Sequence, residues 1–485
     1  MSVDTNNAAF QDALNLIQYT RQSVFLTGKA GTGKSTFLRY VCENTKKKHV
    51  VLAPTGIAAI NAGGSTMHSF FKLPFYPLLP DDPNLSLQRG RIHEFFKYTK
   101  PHRKLLEQIE LVIIDEISMV RADIIDAIDR ILRVYSHNLR EPFGGKQLLL
   151  VGDVFQLEPV VKNDEREILN RFYPTPYFFS ARVFGQIDLV SIELQKVYRQ
   201  TDPVFVGVLD HIRNNTAGAA DLQLLNTRYG SQIEESEADM YITLATRRDT
   251  VDSINEKKLA ELPGDPITFE GVIEGDFPES SLPTSQELVL KPGAQIIFIK
   301  NDFDRRWVNG TIGVIAGIDE EEETIYVITD NGKECDVKRE SWRNIRYRYN
   351  EKTKEIEEEV LGSFTQYPIR LAWAITVHKS QGLTFSRVVI DFTGGVFAGG
   401  QAYVALSRCT SLDGIQLKKP INRADVFVRP EIVNFAGRFN DRQAIDKALK
   451  QAQADVQYAA ASRAFDKGDM EECLEQFFRA IHSRY

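Results

Sequence analysis

The sequence has 485 residues, of which 43% are hydrophobic, 10% aromatic and 26% charged. At about 150 residues per domain the chain should form about three compact units, which excludes a mini-protein and a largely disordered chain. The 59 basic and 66 acidic residues give a net charge of −7, which by itself argues against a nucleic-acid partner.

Two further features concern where the protein works. No apolar run reaches the ~18 residues that span a bilayer, and the polar start MSVDTNN lacks the pattern of a secretion signal. The cysteines Cys42, Cys335, Cys409 and Cys473 show no C-x-x-C spacing, so neither a zinc cluster nor a disulfide framework is predicted. We expect a cytoplasmic protein with reduced thiols.

The first predicted element is a short strand from Ser23 to Leu26, followed by a glycine-rich turn and a helix. Further apolar strands are predicted at Val50 to Ala53, Leu111 to Ile114 and Gln147 to Val151. This alternation predicts a parallel α/β sheet buried on both faces. The proline-rich and then basic stretch from Met67 to Lys104 interrupts the pattern and is predicted to be an inserted subdomain.

A second α/β unit is predicted to begin near Leu189, with strands at Ile187 to Ile192, Tyr241 to Ala245 and Arg387 to Phe392. Between about residues 287 and 361 the pattern changes to short alternating strands joined by Asn-Gly dipeptides, which favour tight hairpins. That spacing predicts a small antiparallel barrel. After about Arg429 the chain is predicted to be helical.

The strongest motif is the run from Gly28 to Ser35, GKAGTGKS, which matches G-x-x-x-x-G-K-[ST] between a predicted strand and a predicted helix. Such a loop wraps phosphates with backbone N–H groups at the start of a helix. Lys34 is predicted to reach the β- and γ-phosphates, and Ser35 is predicted to bind Mg²⁺. The other predicted nucleotide contacts in this run are Gly28, Ala30, Gly31, Thr32, Gly33 and Thr36.

Polar residues follow the next predicted strands, at the sheet edge where ligands bind in α/β proteins. Asp115 is predicted to hold Mg²⁺ and Glu116 to activate the attacking water, which indicates a nucleotide hydrolase. Gln156, in GDVFQ, is predicted to hydrogen-bond the γ-phosphate or the attacking water. In isolation this last motif is a weak signal.

Eight motifs in this order resemble those of superfamily 1 helicases, and more narrowly those of the Pif (Pif-one) family of 5′-to-3′ DNA helicases, relatives of the RecD type. They are GKAGTGKS (28–35), APTGIAA (53–59), GGSTMHSFF (63–71), IIDEISMV (113–120), VGDVFQLEPV (151–160), LQKVYRQ (194–200), AWAITVHKSQGLTF (372–385) and QAYVALSRCTSLDGI (401–415). The stretch from Arg121 to Arg133 is similar to the signature helix of that family. The resemblance covers about residues 5 to 430.

The resemblance implies an α/β chain with two stacked RecA-like P-loop NTPase domains and ATP between them. We expect the C-terminal helices to cap the second domain, with partner binding as the alternative. The implied boundaries are a first domain at 1–188 with a wedge insertion at about 67–104, a second domain at 189–286 and 362–432, an SH3-like β-barrel at 287–361, and C-terminal helices at 433–485.

The resemblance also implies roles for single residues. Arg199 in VYRQ and Arg408 in ALSRCT match the arginine fingers of the family, which stabilise charge on the γ-phosphate. Gln381 and Gly382 would face the phosphates from the second domain. Gln11 would read adenine, although an ordinary amphipathic helix is the alternative there.

The implied contacts to a DNA strand involve mostly phosphates and sugars, which lets a motor grip without reading sequence. The two histidines among them could instead be satisfied core or helix-end residues. The implied residues are Thr55, Thr66, His68, His378, Ser380 and Thr384.

Two aromatic segments have alternative interpretations. The rings between Met67 and Lys104 either split a duplex as a wedge or form the core of that subdomain. The run from Trp342 to Tyr349, WRNIRYRY, interleaves cations with rings that can stack on bases, or it is one β-strand with a solvated face.

The resemblance predicts an ATP- and Mg²⁺-dependent DNA helicase that moves 5′ to 3′ on single-stranded DNA and unwinds forked or tailed duplexes as a monomer. The compact chain fits a bacterial or phage-like, nucleoid-associated enzyme. The family implies work on G-quadruplexes and RNA–DNA hybrids and roles in DNA repair, replication, recombination and telomere or genome maintenance. Two alternatives stay open: an RNA helicase of the same superfamily, and a nucleotide-gated nucleic-acid-binding switch that does not unwind.

The acidic excess is unevenly placed. Asp319 to Glu323 is a run of five acids, and Glu355, Glu357, Glu358 and Glu359 supply four more. Without those nine, 57 acids stand against 59 bases. Since binding depends on the field within a Debye length of ~8 to 10 Å, we expect a neutral-to-basic DNA groove with these acids turned away from it.

Overall fold

The computed structural model describes residues 7–29, 32–87, 91–156, 158–195, 202–231, 240–396 and 400–484. Within these ranges the chain forms two parallel β-sheets, one after the other along the sequence, and an antiparallel insertion interrupts the second. The α/β class predicted from the sequence is therefore confirmed. None of the helices in the described ranges is long and apolar enough to cross a membrane.

The first sheet has six parallel strands in the order β3-β2-β4-β5-β1-β6, and its central strands are apolar because helices cover both faces. The elements of this domain are α1 (Ala8–Tyr19), β1 (Val24–Gly28), α2 (Lys34–Asn44), β2 (His49–Ala53), α3 (Gly56–Ala62), β3 (Ser65–Thr66), α4 (Met67–Phe71), α5 (Arg91–Phe96), α6 (Lys100–Gln108), β4 (Leu111–Ile114), α7 (Ala122–Tyr135), β5 (Gln147–Val151), α8 (Asn163–Leu169) and β6 (Val190–Leu194).

Strand β6 corrects the predicted domain boundary. The sequence pattern places this strand in the second unit, beginning at residue 189. In the structure it pairs in parallel with β1, with Val190 beside Val24 and Leu194 beside Gly28. The first domain therefore extends at least to Leu194, and the boundary at residue 188 is wrong. Parallel strands pair across long stretches of sequence, so the neighbour of β6 is invisible in the local pattern.

The second domain begins with helices and one strand and then gives way to short antiparallel strands. These strands form sheets in the orders β10-β8, β14-β13-β12-β11-β17 and β15-β16-β9. The elements are α9 (Pro203–Arg213), α10 (Ala219–Asn226), β7 (Ile242–Ala245), α11 (Arg248–Glu261), β8 (Ile267–Glu270), β9 (Val272–Gly275), β10 (Glu287–Leu290), β11 (Gln295–Phe298), β12 (Ile312–Asp319), β13 (Thr324–Thr329), β14 (Glu334–Val337), β15 (Glu340–Asn350), β16 (Glu355–Gln366) and β17 (Ile369–Leu371).

This insertion is wider than the predicted range of 287–361. Strands β8 and β9 come before that range and pair with β10 and β16, whereas β17 comes after it and pairs with β11. Both predicted Asn-Gly turns are present, with Gly310 at φ 96° and Gly332 at φ 78°, backbone conformations that glycine adopts without strain.

The chain then completes the second parallel sheet, in the order β18-β7-β19-β20. The strands predicted at 241–245 and 387–392 are confirmed as β7 and β19. The remaining elements are β18 (Ala374–Thr376), β19 (Val388–Asp391), α12 (Gln401–Leu406), β20 (Ile415–Leu417), α13 (Pro430–Ala436), α14 (Arg442–Asp466) and α15 (Met470–Arg484).

The WRNIRYRY run lies on β15, and its rings face inward. Trp342, Tyr347 and Tyr349 are buried, and the Tyr347 hydroxyl lies 3.1 Å from the backbone nitrogen of Val51 in the first domain. The arginines between these rings point to solvent and pair across the hairpin with glutamates of β16. The run is therefore one β-strand with a solvated face, and the rings are not available to stack on bases in this structure. The pairs are Arg346 with Glu359 at 2.8 Å and Arg348 with Glu357 at 3.3 Å.

Of the C-terminal helices, α14 packs on the first domain and α15 packs on α14, so the expectation that they cap the second domain was wrong. Ile445 and Ala448 of α14 belong to the same hydrophobic cluster as α1 and β6. Just before α14, the Asn440 side chain hydrogen-bonds both backbone groups of Glu193 on β6, at 2.8 and 3.1 Å. The Arg442 guanidinium also pairs with Asp12 of α1 at 2.6 Å.

Helix α7, the signature helix of the sequence, carries three buried acids spaced three residues apart: Asp123, Asp126 and Asp129. Each accepts hydrogen bonds from a neighbouring segment. Asp123 accepts from the Leu78 backbone nitrogen at 2.9 Å, and Asp129 accepts from that of Phe143 at 2.6 Å. Since buried donors are costly to leave unpaired, these acids fix the surrounding loops to the helix.

We expect Asp126→Ala to lower the free energy of unfolding of the first domain by about 3 kcal/mol. Asp126 accepts hydrogen bonds from the Tyr173 hydroxyl at 2.8 Å and from the backbone nitrogens of Arg182 and Val183 at 3.0 Å each, and alanine would leave all three donors unpaired. Thermal unfolding followed by circular dichroism measures the loss, with the exposed Glu167→Ala as control. A midpoint equal to that of the control would contradict this role.

Candidate nucleotide and nucleic-acid site

The phosphate-binding loop joins β1 to α2 and requires glycine at its start. A Cβ atom on Gly28 would lie 2.4 Å from Thr32 Oγ1 and 2.9 Å from the Leu194 carbonyl oxygen. Gly33 caps α2 with a φ of 100°, and the Thr32 hydroxyl donates to the Lys29 carbonyl at 2.8 Å. Ala30 and Gly31, two of the predicted nucleotide contacts, lie outside the described residues.

Lys34 begins α2 and turns back into the loop, where its ammonium contacts the carbonyls of Gly28 and Lys29. Burial lowers the pKa of Lys34, while the carboxylates of Asp153 and Glu116 act in the opposite direction. Ser35, next in the first turn of α2, is exposed. The loop thus presents the Lys34 ammonium and the exposed Ser35 hydroxyl where phosphates and their cation bind in P-loop proteins.

Asp115 and Glu116 follow β4 directly. The Asp115 carboxylate accepts a hydrogen bond from the Glu116 backbone nitrogen at 2.9 Å. Glu116 has a φ of 51°, a strained backbone conformation for a side chain, of the kind that clusters at functional sites. Burial raises the pKa of both carboxyl groups, and Asp115 further raises that of Glu116, to about 7. The pair therefore lies within one electrostatic cluster with Lys34, as predicted for a catalytic base and a metal ligand.

No group of three or more His, Cys, Asp or Glu residues in the described ranges could hold a metal by itself. Mg²⁺ at a P-loop does not need one, because it keeps several waters and takes phosphate oxygens from the nucleotide. The exposed Ser35 hydroxyl and the Asp115 carboxylate are oxygen donors of the type that Mg²⁺ prefers, so the residues present fit this ion.

Gln156 lies in a loop after β5 that is organised by Asp153. The buried Asp153 carboxylate accepts from the Phe155 backbone nitrogen at 3.0 Å and from the Gln156 side-chain amide at 3.3 Å. Gln156 is itself buried. In this structure the predicted γ-phosphate sensor is thus held by its own loop. The sequence interpretation singled out Gln156 and missed the supporting Asp153, although GDVFQ contains both.

Arg408 follows α12 in the second domain and is 1% exposed. Its guanidinium donates to the carbonyls of Val404, Ser380 and Leu383 at 2.9, 3.1 and 3.2 Å and to the Ser407 hydroxyl at 3.0 Å. Its charge is close enough to the first domain to oppose the raised pKa of Glu116 and to add to the lowered pKa of Lys34. Arg199, the other predicted finger, lies outside the described residues.

Gln381 lies in the turn that Arg408 holds. Within the described part of the chain, the nitrogen of the Gln381 side-chain amide is buried without a hydrogen-bond partner. Such a donor is rare in folded proteins and fits an acceptor that binds from outside, such as a phosphate oxygen. Gly382 follows with a φ of 73°. Gln11 lies on α1, whose Phe10 packs against Phe37 of α2 with ring centroids 4.9 Å apart, so α1 lies beside the helix that begins at the P-loop.

The predicted DNA contacts divide into two groups. On the first domain, Thr55 and Thr66 cap α3 and α4, and the half-buried His68 stacks on Phe75 with centroids 5.1 Å apart. On the second domain, His378 is exposed and Thr384 half-exposed.

Ser380 is the exception among the predicted DNA contacts. Its side chain is fully buried and donates to the Val377 carbonyl at 2.7 Å. A contact of that hydroxyl with a DNA strand is therefore wrong for this structure, and Ser380 instead offers its backbone carbonyl to Arg408. The side chain turns inward because the turn from Val377 to Leu383 is built around the Arg408 guanidinium.

The aromatic residues of the predicted wedge also divide into two groups. Most are core residues, for Phe70, Phe71 and Tyr98 are buried. Phe75 and Tyr76 are not, with 85% and 52% of their surface exposed. The core interpretation therefore holds for most of the described rings of this segment, and a role of Phe75 and Tyr76 in splitting a duplex stays a prediction.

A P-loop on one parallel sheet, with an arginine and a glutamine contributed by a second parallel sheet, defines a P-loop NTPase with two RecA-like domains. Residues 4–211 match the family model of the PIF1-like helicases. The chain is 34% identical to the ATP-dependent DNA helicase Pif1 of Campylobacter jejuni, over 81% of this chain and 88% of that protein. The chain therefore belongs to the PIF1-like helicase family.

Solved structures agree with this assignment. Pif1 of a Bacteroides species in complex with ADP-AlF4 is 42% identical and superposes with a TM-score of 0.81, covering 89% of this chain and 96% of that one. Bacteroides Pif1 bound to single-stranded DNA is 41% identical and covers 90% and 97%, but its TM-score is 0.60. The chain as a whole thus superposes more closely on the first of these structures than on the DNA-bound one.

Proposed function

We propose that this PIF1-like helicase hydrolyses ATP with Mg²⁺ to move 5′ to 3′ along single-stranded DNA and to unwind the duplex ahead of it. The observation that carries the proposal is the position of the phosphate-binding loop against the second domain, since Lys29 of the loop pairs with Asp210 of α9. The charge of Arg408, which the second domain holds, also acts on Lys34 and Glu116 in the first. Because the site needs groups from both domains, ATP binding and hydrolysis are tied to the relative movement of those domains.

The chemistry follows from the groups around the P-loop. Glu116 takes the proton of the attacking water, while Lys34 and Arg408 offset the charge that develops on the transferred phosphoryl group. The unpaired Gln381 amide donates to a phosphate oxygen from the second domain. Mg²⁺, held by Ser35 and Asp115, neutralises charge on the phosphates when it is bound.

Thr55, Thr66, His68, His378 and Thr384 form the proposed path for the DNA strand. Desolvation lowers the pKa of both the half-buried His68 and His378, which keeps an exposed surface, and this favours the neutral imidazole with one N–H donor on each ring. Threonine hydroxyls and neutral imidazoles favour weak binding to sugars and phosphates, from which the strand is easily released. The exposed rings of Phe75 and Tyr76 are proposed to meet the base pairs at the fork.

Unwinding of one duplex carrying either a 5′ or a 3′ single-stranded tail tests the proposal. We expect ATP-dependent unwinding only with the 5′ tail, and none for Lys34→Ala on either substrate. Unwinding with only the 3′ tail would overturn the polarity. Hydrolysis without unwinding on either tail would favour the nucleotide-gated switch. Stronger stimulation of hydrolysis by single-stranded RNA than by DNA would favour the RNA helicase.

Wider roles belong to the same proposal. G-quadruplexes and RNA–DNA hybrids are proposed as further substrates, and repair, replication and recombination of bacterial DNA as the processes served. All of these require a motor that acts on single strands regardless of sequence, and they place the protein at the nucleoid.

A further inference from the structure

Helix α9 of the second domain touches the first domain at two points one turn apart. Asp210 pairs with Lys29 of the phosphate-binding loop. Three residues later, the buried Arg213 reaches the loop after β5, with its guanidinium carbon 4.2 Å from the centroid of the Phe155 ring. Arg213 also pairs with Glu193 of β6. Neither Asp210 nor Arg213 lies in any of the sequence motifs.

The Asp202 carboxylate ties the start of α9 to the second domain. Asp202 caps the helix by accepting from the backbone nitrogens of Val204 and Phe205 at 3.0 and 3.1 Å. The other oxygen of the same carboxylate accepts from the backbone nitrogen of Leu412 at 3.3 Å, in the loop that follows Arg408. Any movement of the second domain must therefore move α9, and with it Arg213.

The environment of Arg213 is built for a charge. Burial lowers the pKa of Arg213, but the nearby Tyr403, Asp153 and Glu193 outweigh this effect and raise it. A buried guanidinium is costly unless it is paired, and here both the carboxylate that it pairs with, Glu193, and the ring that it covers, Phe155, belong to the first domain. A planar guanidinium can stack flat on a ring while its edge pairs with a carboxylate, a geometry that the point charge of a lysine ammonium does not reproduce.

The second domain approaches the same loop from another side. A Cβ atom on Gly400, which caps α12, would lie 2.9 Å from the Phe155 carbonyl oxygen and 3.3 Å from that of Gln156. The segment Phe155–Gln156 is thus enclosed between Gly400 and Arg213 of the second domain, while Asp153 holds it from within.

We propose that Arg213 is a positioning residue for ATP hydrolysis, which holds the loop Asp153–Gln156 on α9 so that movement of the second domain reaches Gln156. The inference rests on the proposed function, ATP hydrolysis, and on the prediction from the sequence that Gln156 hydrogen-bonds the γ-phosphate or the attacking water. In the described part of the chain, Arg213 contacts the Phe155 ring and the Glu193 carboxylate, and neither belongs to the phosphate-binding loop. The effect of Arg213 is expected on the rate of hydrolysis and not on the affinity for ATP.

The test compares Arg213→Met, Phe155→Leu and the double variant in the full-length chain. We expect Arg213→Met to lower kcat of DNA-stimulated ATP hydrolysis by about 10- to 100-fold, with KM for ATP and Kd for a fluorescent single-stranded DNA within about twofold of wild type. The double variant should be no slower than Arg213→Met alone, because both changes break one contact. Arg213→Lys should not restore the rate.

Arg228→Met is the matched control. Arg228 is an arginine of the second domain that donates to the carbonyls of Ile415 and Asp413 at 2.8 and 2.7 Å, both in its own domain. It should lower the unfolding temperature without lowering kcat of the folded protein. A wild-type kcat for Arg213→Met, or losses that multiply in the double variant, would overturn the inference. Failure of the proposed function would show differently, as a wild-type chain that does not unwind tailed DNA.

Discussion

Replacing Glu116 by glutamine should abolish ATP hydrolysis, with kcat at least about 10³-fold lower, while ATP binding is retained. Glutamine keeps the size and the hydrogen-bonding edge of the side chain but cannot accept the proton of the attacking water. The strained backbone of Glu116 fixes this carboxylate beside Asp115, within the field of Lys34. Steady-state hydrolysis with saturating single-stranded DNA measures the rate, and binding of a fluorescent ATP analogue measures the affinity.

The raised pKa of Glu116 adds a pH dependence with a definite sign. A base works only when deprotonated, and burial together with Asp115 raises the pKa of Glu116 to about 7. In the wild type, kcat/KM for ATP should therefore rise by about tenfold per pH unit below pH 7 and level off above it. In Glu116→Gln this rise of kcat/KM with pH should be absent.

Glu110→Gln is the matched control for Glu116→Gln, since it removes an exposed acid just before the same strand. It should leave both the rate and the pH profile unchanged. Hydrolysis by Glu116→Gln at the wild-type rate would show that another group is the base. A wild-type profile that is flat between pH 6 and 8 would show that Glu116 does not titrate in the free enzyme.

The parts of the site that were predicted from sequence are those encoded locally. A P-loop needs Gly28, Lys34 and Ser35 at fixed spacing around one turn, so eight consecutive residues form the whole phosphate-binding loop. The same holds for the acids after β4, because the end of a buried strand places them at the ligand edge. Both predictions required only the order of strand, loop and helix.

What the sequence could not provide depends on distant contacts. The neighbour of β6 is β1, more than 160 residues earlier, so the domain boundary was misplaced. The sequence suggests a surface hydroxyl at Ser380, whereas in the structure the Arg408 guanidinium binds the Ser380 carbonyl and the serine side chain is buried. Arg213 is a single arginine on an amphipathic helix, and only the position of Phe155 across the domain interface gives it a role. Pairings of this kind leave no local pattern.

Arg408→Ala should have two effects at once, which distinguishes it from a residue that only touches the nucleotide. Removing the guanidinium takes one donor from each of the carbonyls of Val404, Ser380 and Leu383. The Ser407 hydroxyl still donates to Val404 and the Leu383 backbone nitrogen still donates to Ser380, so the loss should cost the second domain about 2 kcal/mol and several degrees in thermal midpoint. The substitution also removes a charge near Glu116 and Lys34, so hydrolysis should fall by about 10²- to 10³-fold.

Arg408→Lys separates these two effects. A single ammonium keeps the charge but cannot reach three carbonyls that a planar guanidinium binds together, so the thermal midpoint should stay low and hydrolysis should recover only in part. The exposed Arg423→Ala is the control and should change neither quantity. A wild-type midpoint for Arg408→Ala would show that the hydrogen bonds to the turn from Val377 to Leu383 contribute little to stability. Hydrolysis by Arg408→Ala at the wild-type rate would show that the Arg408 charge does not act on the nucleotide. It would also show that the turn carrying Gln381 works without the Arg408 hydrogen bonds.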